Sequence, residues 1–356
     1  MTDTRLRINA FVKLGTFLLD YCEYSKNPMD LVGIKNEWFL SLDQKITQAE
    51  HQNGWFTKEN VLFSLENWGK SLTEEHLNNW LSNYKTEPKK TLTVAVIMAG
   101  NLPLVGFHDF LSVLLTGNNI VIKQSSNDVI LLPFLCSYLF EIDSSLKGAI
   151  HFEKEKLPLF DAVIATGSNN TARYFEHYFS KKPNIIRKNR NSVAVLTGNE
   201  TKEQLQLLGE DIFRYYGLGC RSVSKIFVPK GYNFDTLFGG LFTYNPIVNQ
   251  HKYANNYDYN KAVYLMSEFK ILDNGFLILK EDPSYSSPIA SLFYEFYDDE
   301  NTLKEQLYAD KEQIQCIVAN NFVSEEVAFG ETQKPKLTDY ADGIDTVEFL
   351  LRTSAE

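Results

Sequence analysis

The sequence predicts an α/β protein: a largely parallel sheet covered by helices on both faces, preceded by a helical region. Three observations carry this. Short apolar runs alternate with helical stretches from Leu92 to Val228, which is the pattern of βαβ units. The runs are rich in Val, Ile and Ala, as strands buried on both faces are. The first 85 residues instead show apolar spacing of helical period and hold all four tryptophans.

In the helical region Val61, Leu65, Trp68 and Leu72 follow one helix face, and Thr73-Glu74-Glu75 starts a helix before Leu77, Trp80 and Leu81. Trp38, Trp55, Trp68 and Trp80 read as packing residues. Lys85 to Lys90 reads as a linker. Strands follow at Leu92–Met98, Asn119–Lys123, Asp161–Thr166 and Ser192–Leu196. Helices follow each of them at Val105–Leu115, Val129–Phe140, Asn169–Phe179 and Glu203–Tyr216. A further strand is expected at Ser224–Val228.

Size and charge narrow the class. A chain of 356 residues is about two domains, and 44% hydrophobic with 22% charged residues is globular composition. The formal charge of −10 argues against a general nucleic-acid binder. Cys22, Cys136, Cys220 and Cys316 are scattered singly, without metal-ligand or redox-pair spacing. The Asp339–Asp345 segment lacks the spacing and final glutamate of a calcium loop, so no metal is expected. The first residues show no signal-peptide pattern, and the most apolar stretch, Val129 to Phe140, is too short to span a bilayer. The expectation is a soluble, cytoplasmic protein.

Ligands of parallel sheets sit beyond the carboxyl ends of the strands. Ala99–Pro103, Lys123–Asn127 and Thr166–Asn170 are therefore candidate loops. None carries the glycine fingerprint of dinucleotide sites or a phosphate loop. The most informative segment is Tyr215-Tyr216-Gly217-Leu218-Gly219-Cys220-Arg221-Ser222. Glycines beside a thiol allow close substrate approach and leave backbone N–H groups to stabilise a thiolate or an oxyanion. A buried cysteine beside a helix end is the alternative.

Four segments, in order, resemble the aldehyde dehydrogenase superfamily, and within it the acyl-CoA reductases of the bacterial luminescence (LuxC-like) type. They are Gly100-Asn101-Leu102-Pro103 with Leu114–Asn118 and Ile122–Ser126; Ala165-Thr166-Gly167-Ser168; Gly217–Ser222; and Phe329-Gly330 with Leu337–Gly343. The resemblance spans about Thr91 to Leu350. It implies an aldehyde-dehydrogenase-like fold, with a Rossmann-like cofactor domain at 89–190, a catalytic domain at 191–320 and a C-terminal segment at 321–356 open to oligomerisation. Residues 1–88 would pack on the cofactor domain.

The resemblance also implies roles. Cys220 would be the nucleophile, attacking an acyl-CoA thioester, and Asn101 would share the oxyanion with the Cys220 N–H. Lys123, Ser125 and Ser126 would meet the adenosine ribose, and Thr166, Gly167 and Ser168 would border the cofactor at a helix start. NAD-preferring members carry a glutamate where Ser126 stands, so NADPH is favoured, with NADH compatible. Hydrolytic members carry a general base before the cysteine. The aligned position here is Arg187, and Glu176 is the one carboxylate between Asp161 and Glu200. The glutamate that anchors the nicotinamide ribose is missing from Asp282–Pro288. The implied activity is NADPH-dependent reduction of an acyl-CoA to an aldehyde, with an acyl-activating or acyl-transfer partner protein and a homo-oligomeric assembly formed through the tail or a hairpin in the cofactor domain. An aldehyde dehydrogenase, an acyl-phosphate reductase and a non-catalytic homologue are the rivals.

Remaining candidates stay open between function and packing. His108-Asp109 follows the Asn101 loop, and Arg221 adjoins the thiol. Tyr253 to Tyr264 either lines an acyl tunnel or packs. Five basic residues and no acid lie between Lys181 and Ser192, where Arg187 and Lys188 are candidates for meeting the anionic CoA or cofactor.

Overall fold

The computed structural model describes residues 3–27, 37–84 and 90–355. The expected linker lies outside the described residues except for Lys90. The chain divides into two compact units, Met1–Lys188 with Lys336–Glu356, and Asn189–Pro335. The last 21 residues (336–356) thus belong to the first unit, where the sequence reading grouped 321–356 as one segment.

In the first unit four helices, α1 (Asp3–Lys26), α2 (Glu37–Gln52), α3 (Lys58–Ser71) and α4 (Glu74–Leu81), precede the sheet. Capping fixes two starts: the Thr57 and Thr73 side chains accept from the N–H groups of Asn60 and His76, satisfying donors that an α-helix leaves open. The sheet follows, with β1 (Thr93–Ile97), α5 (Phe107–Leu115), β2 (Asn119–Lys123), α6 (Leu131–Ile142), α7 (Leu146–Ala149), β3 (Ile150–Phe152), β4 (Ala162–Thr166), α8 (Asn169–Phe179) and β5 (Asn184–Arg187). Its strand order is β3-β2-β1-β4-β5, and every pairing is parallel. The order reverses at β1. The loops after β1 and β4 therefore diverge and leave a crevice at the carboxyl edge.

The N-terminal helices share one hydrophobic core with this sheet and with the C-terminal helix Thr346–Ala355. Phe11 of α1 is fully buried and meets Phe107 and Phe110 of α5 edge-on, at centroid distances of 6.4 and 6.0 Å. Arg7 Nη1 donates to the carbonyls of Leu114 (2.7 Å) and Asn118 (3.1 Å), satisfying carbonyls at the end of α5. Trp80 is buried and donates to Tyr340 Oη at 2.7 Å, tying the returning tail to α4.

The second unit contains β6 (Asn191–Val195), α9 (Lys202–Phe213), β7 (Val223–Pro229), α10 (Phe234–Leu241), α11 (His251–Met266), β8 (Ile271–Asp273), β9 (Ile278–Glu281), β10 (Ser291–Tyr297), α12 (Glu300–Ala309) and β11 (Ile314–Val318). The sheet order is β11-β6-β7-β10-β9-β8, parallel except for the antiparallel β8–β9 pair. One face carries the Ala194, Ile226 and Leu292 core, and the other the Val193, Phe227 and Leu303 core.

Three details differ from expectation. β3 and β5 are additional strands. The helix expected to reach Tyr216 ends at Phe213, because Tyr215 and Tyr216 take left-handed φ of 55° and 58°. The described residues of the first unit contain no hairpin pairing that would extend its sheet into a second copy. Among the described residues no helix is long and apolar enough to cross a membrane.

Replacing Phe11 by Ala removes the ring that joins α1 to α5. Unfolding free energy should fall by about 3–5 kcal/mol, read as a lower urea midpoint. A change below about 1 kcal/mol would show that α1 contributes little to this core.

Candidate active site

The candidate residues fall into two groups, one in each unit. In the first unit they line the carboxyl edge of the sheet. Asn101 is exposed in the loop after β1. This loop crowds the one after β2: a Cβ on Gly100 would lie 2.6 Å from both Cβ and Oγ of Ser125, so only glycine lets the two loops meet. Ser126 is exposed, and its carbonyl accepts from Gln52 Nε2 at 2.6 Å. Lys123 ends β2 and donates to the Glu155 carbonyl. Asp128 underlies both loops. It is buried, and its Oδ2 accepts from Leu104 N–H at 3.2 Å.

Across β1, Thr166 ends β4, Gly167 turns, and Ser168 caps α8, its side chain accepting from Thr171 N–H. Ser168, Asn169 and Asn170 are exposed, and no acidic residue occupies the first turn. An α-helix N-terminus with its turn uncovered favours an anion. A Cβ on Gly167 would lie 3.0 Å from Thr171 Cβ, so a side chain there would crowd the turn. Gly167 N–H donates to the Arg187 carbonyl at 3.3 Å, joining this loop to the end of β5.

The basic stretch is split: Lys181, Lys182 and Lys188 are exposed, whereas Arg187 turns inward. Alternate residues of β5 point inward, so Arg187 is buried with Ile185. The Arg187 guanidinium ion-pairs with Asp109, and its Nη2 donates to Thr346 Oγ1 at 3.0 Å. Lys188 pairs with Glu176 at 2.7 Å, and Arg190 with Glu312 at 3.3 Å. Glu176, the one carboxylate between Asp161 and Glu200, thus sits in a half-exposed pair. His108 also turns to the structure: its Nε2 meets the Leu337 carbonyl at 2.9 Å, and its ring lies 5.3 Å from Trp80 and 5.4 Å from Tyr340. Burial pulls its pKa below the usual histidine range.

In the second unit Cys220 lies just before β7, at the amino edge of that sheet, and is exposed. Cys22, Cys136 and Cys316 are buried, and burial pushes the Cys22 thiol up to about 11 and that of Cys136 higher still, where a thiol is inert. The approach to Cys220 is a run of three left-handed residues, Tyr215, Tyr216 and Gly217, with φ of 55°, 58° and 76°. They stop α9 and fold the chain back. Two short turns follow, closed by Leu218 N–H to Tyr215 O (3.2 Å) and Ser222 N–H to Gly219 O (3.0 Å). Ser192 Oγ donates to the Cys220 carbonyl at 3.0 Å, and Arg221 Nε to the Thr332 carbonyl at 2.6 Å. A cleft opens beside Gly217, with Ile212, Tyr216, Ser224, Tyr253 and Ile289 among its walls. Tyr253, Tyr257 and Tyr264 are buried, so this side of the tyrosine-rich helix packs and Tyr253 also reaches the cleft.

Sequence reading missed two buried groups of this unit. Asp211 is fully buried in the last turn of α9. Lys225 of β7 is fully buried between the rings of Phe227 and Tyr285, at 4.8 and 4.9 Å, and pairs with Glu295 at 2.7 Å. Nothing local marks either residue, because the partners lie far along the chain.

Two measurements test these assignments. Arg187→Ala leaves Asp109 buried without its cation and should cost about 3–5 kcal/mol of stability, whereas Lys188→Ala breaks an exposed pair and should cost about 0–1 kcal/mol. Equal effects would remove the distinction. For Asp128, burial raises the carboxyl to about 6, against about 3.9 in an unfolded chain. The folded state then holds a proton that the unfolded state releases. The resulting stabilisation is fully present below about pH 3.9 and is lost as pH rises through 6. Asp128→Asn stays neutral, so wild-type stability minus variant stability should fall between pH 4 and 7. A flat difference would show that Asp128 ionises normally.

Comparison with known proteins gives the same frame. Aldehyde dehydrogenases are among the solved structures that match. One is the putative aldehyde dehydrogenase PutA from Anabaena variabilis, with 14% identity over 91% of this chain and 80% of that one and a TM-score of 0.57. Another is aldehyde dehydrogenase 21 from Physcomitrella patens, in complex with the reaction product succinate, with 12% identity over 98% and 87% and a TM-score of 0.63. A third is an aldehyde dehydrogenase from Bacillus cereus in its NAD+ complex, with 14% identity over 90% and 72% and a TM-score of 0.59. These likenesses show an aldehyde-dehydrogenase-like fold. A search of curated proteins returns no match. The acyl-CoA reductase (LuxC) family profile matches residues 24–236, more than half of the chain, and this chain, with its aldehyde-dehydrogenase-like fold and exposed Cys220 loop, belongs to that family.

Proposed function

We propose that the protein reduces an acyl-CoA thioester, of fatty acyl type, to the aldehyde through an S-acyl-Cys220 intermediate, with NADPH as cosubstrate. The observation that carries this reading is Cys220: an exposed thiol in a turn built by left-handed residues, in a chain of the acyl-CoA reductase family.

The residues of the first unit fit a dinucleotide. The crevice at the strand reversal, the uncovered start of α8 and the glycine-only contact between the Gly100 and Ser125 loops are features that a bound pyrophosphate and ribose use. Thr166, Gly167 and Ser168 would hold the phosphates, and Lys123, Ser125 and Ser126 the adenosine end. Ser126 puts no charge against a 2′-phosphate, which supports NADPH over NADH. When bound, a reduced nicotinamide supplies the hydride that takes the acyl carbon to the aldehyde level.

The chain's own steps are those of a nucleophile and its supports. The Cys220 thiolate attacks the thioester carbonyl, a carbon–sulfur bond forms, and CoA leaves with the electron pair of the bond that breaks. The Cys220 N–H and the Asn101 amide are the proposed donors to the oxyanion. After reduction Cys220 departs as thiolate and the aldehyde is released. Arg187, aligned with the water-activating base of hydrolytic relatives, cannot take a proton and is committed to Asp109. This supports transfer of the acyl group to and from a thiol over hydrolysis. Arg221 and Lys188 remain candidates for the CoA phosphates, and a separate acyl-activating protein is the proposed source of the thioester.

The test is intact mass after incubation with acyl-CoAs of graded chain length. Wild type should gain one acyl group and then lose it when NADPH is added, with NADPH consumed. Cys220→Ala should gain none. Absence of both adduct and NADPH oxidation across the panel would overturn the reading. Release of free acid without CoA would favour an aldehyde dehydrogenase.

A further inference from the structure

We propose that Asp211 is a positioning residue for the Cys220 loop: its buried carboxylate holds residues 330–332 as a strap, and the strap fixes the residues on either side of the thiol. The inference rests on the reading of Cys220 as nucleophile and adds the device that holds it in place.

Asp211 is fully buried, and both of its oxygens look away from its own helix. Oδ2 accepts from Gly330 N–H at 2.7 Å. Oδ1 accepts from Thr332 N–H at 3.0 Å and from Thr332 Oγ1 at 2.8 Å. A buried carboxylate without donors is costly, so these three bonds hold the strap to the last turn of α9. The strap then grips the loop. The Thr332 carbonyl takes Arg221 Nε at 2.6 Å, and Gln333 Nε2 donates to Ser222 Oγ at 3.2 Å. Ser222 Oγ in turn accepts from Gly219 N–H at 3.3 Å. Gly219, Arg221 and Ser222 are thereby tied, and Cys220 lies between them. The strap bends at Gly330, whose φ is +83°, and a Cβ there would sit 3.0 Å from Leu207, so the backbone passes close over α9. Burial raises the Asp211 carboxyl to about 6 against the pull of those donors. Removing one donor therefore leaves a group poorly compensated.

The chemistry explains why such a grip matters. A thiol and an N–H donor must meet one carbonyl group together, and a displacement of about 1 Å can cost about a hundredfold in rate. Three successive left-handed residues, two of them tyrosines, are strained and persist when contacts on both sides hold them.

The experiment uses the full-length protein and three variants. Asp211→Asn turns an amide N–H toward one of the backbone N–H donors. Thr332→Val removes only the hydroxyl bond, and Thr332→Ser restores it. Acylation of Cys220 by an acyl-CoA and steady-state NADPH oxidation are measured together with hydrogen–deuterium exchange. In Asp211→Asn the acylation rate and kcat should fall about ten- to a hundredfold with KM within about twofold, and amides 217–222 should exchange faster while those of α11 do not change. Thr332→Val should move the same way by less, and Thr332→Ser should match wild type. If Asp211→Asn does not fold, the Val–Ser comparison decides. Unchanged kcat and exchange in folded variants, or a change in KM alone, would overturn the proposal. If wild type forms no acyl adduct, the nucleophile reading fails, and exchange at 217–222 still reports whether Asp211 holds the loop.

Discussion

A carboxylate taken out of water must find hydrogen-bond donors or a cation, and the loops at both candidate sites are shaped by that demand. Asp109, in the first turn of α5, draws the Arg187 guanidinium inward from the end of β5. The Arg187 backbone then stays beside Gly167, with its carbonyl taking the Gly167 N–H. Asp128 binds the Leu104 N–H and so joins the loop after β1 to the loop after β2. Asp211 binds three donors from residues 330–332. Each aspartate is buried by a helix or loop that packs for apolar reasons, and each converts that packing into the placement of a particular backbone segment.

The same logic explains what could be read from the sequence. β1, β2 and β4 stand within one or two residues of expectation, because strands covered on both faces are unbroken apolar runs such as Val94 to Ile97 and Ile120 to Ile122. β3 and β5 were not legible. Ile150–Phe152 is three residues with a histidine at its centre, and Asn184–Arg187 interleaves polar ends with two isoleucines. The arginine in β5 read as a candidate for meeting an anionic ligand because its partner, Asp109, lies 78 residues earlier. The end of α9 was misplaced because helical periodicity says nothing about Tyr215 and Tyr216 turning left-handed.

Within the candidate sites, residues that act through local chemistry were visible and residues that act through distant partners were not. Cys220 announces itself as a lone thiol among glycines, and Ser168 as a helix cap beside a strand end. Asp211 and Lys225 carry no such mark. Asp211 acts on residues 119 and 121 positions later, and Lys225 on residues 58 and 70 later. The resemblance of whole segments supplied what spacing could not, and Arg187, one of the positions where the sequence departs from that resemblance, sits in the buried Arg187–Asp109 pair.

Lys225 ties down the strand that follows the Cys220 loop. β7 begins three residues after Cys220, and the side chains of its second and third residues reach one segment. Ser224 Oγ donates to the Tyr285 carbonyl at 2.6 Å, and Lys225 Nζ to the Pro283 carbonyl at 2.7 Å. An ammonium ion buried with a carboxylate and two aromatic rings does not of itself make a fold more stable than apolar residues would. What it does specify is register, because Pro283, Tyr285 and Glu295 must all present themselves to one nitrogen. Ser224 and Lys225 thus tie the backbone of residues 283–285 to the strand that follows Cys220. Residues 219–222 are thus tied to the segment that Asp211 holds, the strand after them is tied to residues 283–285, and each attachment rests on a fully buried charged group, Asp211 or Lys225.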